Sequence, residues 1–203
     1  MKSFINAIRR ILISEIPSLA IDYVNIKNNE SIYHDEIISH RLGLIPFNSE
    51  ETYKFNYYWE KSDNILKYVK YELNIKNETE KDIYVTSKDL KIVNIKNMDN
   101  IQKKIYNNVK PIYNDIIITK LKPNQSISLN CLIKKGIGKE HSKFQPVNVV
   151  EFKKIDENKY KLNIETSGVI KSKKIYELLL KIFKDKLLKF NKLIKKSYIS
   201  DVI

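Results

Sequence analysis

The sequence predicts an α+β fold, with helix signals at the two ends of the chain and strand signals filling its middle. Three observations carry that prediction. An amphipathic stretch over residues 4–15 is closed near Pro17, and runs of branched and aromatic residues dominate from about Tyr53 to Val150. Finally, apolar residues recur at steps of four and three from about Lys173 to Lys195.

Composition bounds what such a chain can be. Its 203 residues are 42% apolar, ample for one core and borderline for two small ones. No apolar run approaches the roughly 20 residues that a membrane helix needs, and no signal-peptide pattern opens the sequence, so an intracellular chain with no membrane partner is expected. Cys131 is the single cysteine, which excludes an internal disulfide framework and a multi-cysteine metal centre built by this chain alone. A small buried hydrophobe is the expectation there.

The formal net charge of +13 suggests attraction to anions and supplies an alternative reading, a free-standing basic nucleic-acid-binding protein. Residue types weigh against it. Of 37 cationic residues only Arg9, Arg10 and Arg41 are arginine, the side chain favoured for bidentate recognition of phosphate and bases. The lysines alternate with acids, as in "KNETEKD" and "KKIDENKYK", which describes a solvated surface rather than a focused groove.

Taken in order, Ser3 is expected to cap a first helix over residues 4–15, and "SLAIDYVNI" then reads as a strand. Asp35 is the expected N-cap of a short second helix, "EIISHRL", with Gly43 at its end and Pro46 beyond. "YVKYELNIKN", "DIYVTSKDLKIVNI", "DIIITKL" and "SISLNCLIKK" make the middle third a mostly β module. Two strands follow in "VVEFKKIDENKYKLNIETSG", separated by a charged turn, and Ser172 is the expected cap of the long last helix. On that helix Tyr176, Leu180, Phe183, Leu187, Phe190 and Ile194 form one stripe, widened in the first turns by Ile175, Leu178, Leu179 and Ile182. One stripe can cover the chain's own sheet. The excess apolar surface calls for a further lid, since burying a Leu or Phe is worth roughly 1.5–3 kcal/mol.

Catalytic grammar is missing from the motifs. "KKGIGKEHS" contains GxGK but not the GxxxxGK followed by Ser or Thr of a phosphate-binding loop, because Glu140 follows the lysine. His34, His40 and His141 have no paired histidine or cysteine near them in sequence, so no metal and no other cofactor is expected. No nucleophile elbow or acidic cluster stands in a supporting context.

"FINAIRRILISEIPSLAIDYVNI" followed by "DEIISHRLGLIP" resembles the dimerisation motif of the assembly subunit of multisubunit DNA-dependent RNA polymerases, the family of bacterial alpha, archaeal D and the eukaryotic third-largest subunit. "HRLGLIP" points to the archaeal and eukaryotic branch. The likeness continues through "DIYVTSKDLKI", "PIYNDIIITKLKPNQSISLNCLIKKGIGKEHSKFQPV" and "YKLNIETSGVIKSKKIYELLLKIFKDKLLKF", and is weakest at residues 47–67 and 94–108.

That resemblance implies a discontinuous dimerisation domain, residues 1–46 and 147–203, interrupted by a mainly β domain at 47–146. It implies a non-catalytic scaffold that heterodimerises with a smaller L or eleventh-type subunit, docks the large catalytic subunits, and meets DNA only indirectly through the complex. Such a subunit would work in a eukaryotic nucleus, or in the cytoplasm for an archaeal or viral enzyme. A homodimer, as in bacteria, fits the branch signature less well.

Residues 9 and 10 lie about 100° apart on a helix, so both cannot face one core. The family motif then implies that Phe4, Ile8, Leu12, Tyr176, Leu180, Phe183, Leu187 and Phe190 form the heterodimer interface. Arg9, Arg10, His40, Arg41, Lys139, His141 and Lys143 are the implied contacts to a large subunit, with Gly136 and Gly138 as backbone hinges of the loop that carries the last three. Three departures from the family stand out. The ligands for the cysteine-rich metal site of several relatives are absent. Phe144 stands where tryptophan is common. Only five residues precede Asn6, so the strand that opens many relatives is expected to be missing, supplied from elsewhere, or lost through a wrongly chosen start codon.

Overall fold

A computed structural model describes residues 2–60, 66–93, 98–157 and 159–200, with side chains described through residue 195. Helix α1, Lys2–Ser14, turns Ile5, Ile11 and Leu12 inward. Ser3 lies within its first turn rather than capping it, and Ser14 Oγ donates back to the Arg10 carbonyl at 2.6 Å. Strand β1, Pro17–Asn29, follows at once and is longer than the apolar run "SLAIDYVNI" suggested. Hydrogen bonding to a long partner strand extends it beyond the residues whose side chains are buried.

That partner is β6, Ser126–Ile137, paired antiparallel with β1 from Pro17↔Ile137 to Asn29↔Ile127. The register slips between Ile21 and Tyr23 and between Ile26 and Asn28, so Asp22 sits in a β-bulge that re-aims its side chain. On the other side of β6 lies β2, Tyr68–Lys76, and outside it the two-residue β4, Lys91–Ile92, which gives a four-stranded sheet of order β1-β6-β2-β4. A second, two-stranded sheet pairs β3, Ile83–Thr86, with β5, Ile117–Leu121.

Helix α2, Asp35–Gly43, packs Ile38 and Leu42 against this assembly. Its N-cap position is His34, with Asp35 the first helical residue, so the carboxylates of Asp35 and Glu36 complement the helix dipole rather than cap it. The inserted region also holds a helix that the strand-rich reading passed over, α3, Asn100–Asn108. The signal was present as a capping box: Asp99 accepts from Gln102 N at 2.6 Å while the Gln102 side chain accepts from Asp99 N at 3.3 Å.

Between these layers lies a closed core, here called core one, centred on Phe47, Tyr71, Leu73, Ile118, Leu129 and Ile133. Several of its buried polar groups find partners within the chain, while Thr119 Oγ1 on β5 has no hydrogen-bond partner among the described residues. Tyr71 stacks edge-on with Phe47 at 5.5 Å and its hydroxyl donates to the Val109 carbonyl, while Asn77 donates to Lys81 O at 2.8 Å and to Leu121 O at 3.1 Å. Cys131 is fully buried here, as expected, and burial pushes its thiol up to about 12.

A second core joins the two ends of the chain. β7, Val147–Asp156, and β8, Lys159–Thr166, pair only with each other among the described residues, and α4, Ser172–Ser200, follows with Ser172 as its first residue rather than its cap. Ile11, Leu12 and Ile16 meet Val147, Val150, Val169, Ile170, Ile175 and Leu179 there. Leu19, Ile21, Ile38 and Leu42 of β1 and α2 belong to core one, whereas Ile11, Leu12 and Ile16 belong to core two.

Candidate subunit interface

Core two is covered on one side only. Ile175 and Leu179 of α4 are buried, Leu178, Ile182 and Phe183 pack partly against the core, and the next face of the helix is left open. On it stand Tyr176, Leu180, Leu187 and Phe190, the last 61% exposed, with Leu188 and Leu193 beside them. Of the two apolar sets the sequence placed on this helix, the narrower one seals the chain's own core. Of the longer stripe, Tyr176, Leu180, Leu187 and Phe190 face outward, while Phe183 packs against core two and Ile194 is half-buried.

Helix α1 adds to the same face at its first turns. Phe4, 50% exposed, meets Phe183 edge-on at 5.4 Å, and Ile8 is half-buried beside core two. Leu12 is corrected: it is wholly inside core two, so no partner can reach it. Lys186 of α4 pairs with Glu15 just beyond the end of α1, which ties the two helices together.

Sequence reasoning missed the contribution of the β7–β8 ribbon. Cross-strand pairing puts Val150 opposite Ile164 and Phe152 opposite Leu162 on one face. Val150 and Leu162 reach core two, whereas Phe152 and Ile164 are exposed. The alternation in "VVEF" and "YKLNI" signals strands, but nothing in it shows that the pair lacks a third strand among the described residues.

The residues expected to contact a large subunit fall into separate places. Arg9 is half-buried and donates from Nε and Nη2 to Asn6 Oδ1 at 3.2 and 3.1 Å, while Arg10 is exposed, so the two diverge as helix geometry requires. Arg41 Nη2 donates to the Ile117 carbonyl at 2.8 Å and its guanidinium lies 5.2 Å from the Tyr33 ring centre, which ties α2 to β5. His40, His141 and Lys143 do come together, lining one groove with Asp22, Tyr23 and Leu44. Lys139 is exposed nearby, with its backbone N–H on Ser14 O at 2.9 Å.

Asp22 organises that groove from its bulge, accepting from Lys143 Nζ at 2.7 Å and from Lys134 Nζ at 3.2 Å. Partial burial alone would raise its carboxyl, but the hydrogen bonds and charges of Lys143 and Lys134 together outweigh burial and hold it below the ordinary value. The glycines of the adjoining loop act differently from hinges. A Cβ on Gly136 would lie 2.6 Å from the Phe144 ring, and one on Gly138 would lie 2.4 Å from the Ile13 carbonyl oxygen. Both positions exist for close approach of chain segments, not for turning. Phe144 is the buried anchor of this loop, and its carbonyl accepts from Ser18 Oγ at 2.6 Å.

Among the described residues no cluster of three or more His, Cys, Asp or Glu could hold a metal ion, and no helix is long and apolar enough to cross a membrane. Residues 24–158 match the family model of the RNA polymerase Rpb3/RpoA insert domain. The chain belongs to the Rpb3/RpoA family.

Relatives within that family come from both branches named by "HRLGLIP". Subunit Rpo3 of the DNA-directed RNA polymerase of Methanocaldococcus jannaschii is 35% identical over 91% of this chain and 81% of its own length. Subunit 3 of RNA polymerases II, IV and V of Arabidopsis thaliana is 36% identical over 74% of this chain and 49% of its own. Subunit rpac1 of RNA polymerases I and III of Dictyostelium discoideum is 36% identical over 73% of this chain and 45% of its own. The chain thus spans about half the length of the eukaryotic relatives and most of the archaeal one. The Rpb3/RpoA match runs from within β1 to the end of β7, wider than the 47–146 expected for an insert.

Proposed function

We propose that this chain is the non-catalytic assembly subunit of a multisubunit DNA-dependent RNA polymerase. It pairs with a smaller L or eleventh-type subunit through the open face of core two, contributed by α1, the β7–β8 ribbon and α4. Those elements form the dimerisation part, and the sheet-rich remainder is the insert. The observation that carries this reading is the outward stripe Tyr176, Leu180, Leu187 and Phe190, an apolar face too continuous for a monomer, on a member of the Rpb3/RpoA family. Arg9, Arg10, Lys139 and the groove of His40, His141 and Lys143 are the contacts for a large subunit, and DNA is met only through the complex. The work is done in the nucleus of a eukaryotic host, or in the cytoplasm of an archaeal one.

Co-expression with the small subunit of the same polymerase, followed by sizing, tests the reading. A stable 1:1 complex is expected, and Leu180→Glu/Leu187→Glu should abolish it while leaving the free chain folded. Arg9→Ala/Arg10→Ala should leave that pair intact and weaken capture of the large subunit. A well-behaved monomer that ignores the small subunit and binds nucleic acid tightly, with a steep loss as salt rises, would favour the basic nucleic-acid-binding alternative instead.

A further inference from the structure

Core one carries a further concave surface. A hollow of about 620 Å³ lies where β4, the turn before it and the end of α3 meet. Lys88, Lys91 and Lys110 line it, together with Asn107 and Asn114, and among the described residues no carboxylate lines it. Asp89, next in sequence, is turned away: its carboxylate accepts from Thr86 N at 2.8 Å in a capping box. Among the described residues, none of the three ammonium groups has a carboxylate within ion-pair distance, although Lys54, Lys76, Lys120, Lys134, Lys143, Lys171 and Lys186 each have one.

The lining also decides what kind of anion fits. Compact phosphate sites are built from free backbone N–H groups, but here Lys88 N is taken by Asn114 O at 3.2 Å and Lys110 N by Asn108 O at 3.1 Å. Ser87 Oγ donates inward to the Tyr113 carbonyl at 2.5 Å. Single-stranded nucleic acid needs aromatic faces for its bases, and the only aromatic in the lining, Tyr71, is buried. What remains is three long cations above an apolar floor of Leu90, Ile92 and Pro111, beside a strand that is last in its sheet among the described residues.

We propose that the hollow bounded by Lys88, Lys91 and Lys110 docks an extended acidic segment of a partner polypeptide, its carboxylates on the lysines and its alternate apolar side chains on the floor. An extended segment presents alternate residues to one face, which matches cations at the rim and apolar groups beneath, and the open edge of β4 favours that conformation. This surface belongs to core one and is separate from the face assigned to the small subunit.

Fluorescence anisotropy of the full chain with a fluorescein-labelled peptide alternating glutamate and valine tests the proposal, against a matched glutamine–valine peptide and an oligothymidine. Lys88→Gln/Lys91→Gln/Lys110→Gln removes the rim, and Lys153→Gln/Lys159→Gln/Lys161→Gln on the ribbon removes the same charge elsewhere. The rim variant should lose about tenfold in affinity for the acidic peptide, the ribbon variant should stay near the parent, and the glutamine peptide should bind weakly to all three. Circular dichroism confirms that both variants remain folded. Equal losses in the two variants, no preference for the glutamate peptide, or tighter rim-dependent binding of oligothymidine would each overturn the proposal.

Discussion

Core one, assembled from residues 17–137, closes on itself, whereas core two, assembled from the ends of the chain, stops halfway. The same residue types serve both. In core one, two sheets and two helices surround the apolar side chains, and the buried Tyr71 hydroxyl and Asn77 amide find partners inside the chain. In core two, one ribbon and two helices give a single covering layer, so Leu179 is sealed while Leu180, the next residue, faces outward. An unfinished core is what a permanent assembly needs, because the missing layer can be supplied by another polypeptide at a gain of roughly 1.5–3 kcal/mol for each large apolar side chain covered.

The sharpest way to break this contrast is to truncate an equally large side chain in each region of the free chain. Phe47→Ala should cost about 3–5 kcal/mol in denaturant unfolding, because the side chain is fully buried against Tyr71. Phe190→Ala should change the free chain by no more than about 0.5 kcal/mol, since a surface position has little to lose. Comparable losses at both positions would mean that core two is closed within the chain.

The junction between the cores sharpens the comparison at intermediate size. Gly136→Ala forces a methyl into the Phe144 ring and should destabilise by about 1–3 kcal/mol, read as a lowered unfolding midpoint. Shrinking the ring in a Gly136→Ala/Phe144→Leu double variant should return part of that loss; a fully additive result would refute the close-approach explanation.

The smallest effect belongs to the exposed groove. Asp22 has a lowered pKa, so its contribution is complete above the ordinary value of 3.8 and fades as pH falls below it. Asp22→Asn should cost about 0.5–1 kcal/mol at neutral pH, modest because the pair is partly exposed, and the difference from the parent should shrink in acid titrations of stability. A difference that persists below that range would assign the effect to the bulge backbone instead.

Much of this architecture was legible in local pattern. The strands β2, β6, β7 and β8 announced themselves through alternation, and α4 through its four-and-three spacing. Helix α3 was passed over because "NIQKKIYNN" has few apolar residues and follows strand-rich sequence, although Asp99 and Gln102 carried its start. Leu12 was misassigned because it is wholly buried within the chain. A motif position says which residue type recurs, not whether its atoms are already engaged by the same chain.

The amino-acid sequence by itself determined the α+β class, the order of the elements, the surplus of apolar helix surface and the Rpb3/RpoA resemblance, because each is a property of residue type and local spacing. Only the tertiary structure decided which stripe of α4 faces inward, that β1 joins the sheet of the middle region, and that His40, His141 and Lys143 share a groove around a bulged Asp22. Those outcomes depend on contacts between residues more than a hundred positions apart, such as β1 with β6 or Glu15 with Lys186, and local spacing carries no information about which distant segment will supply the other half of a contact.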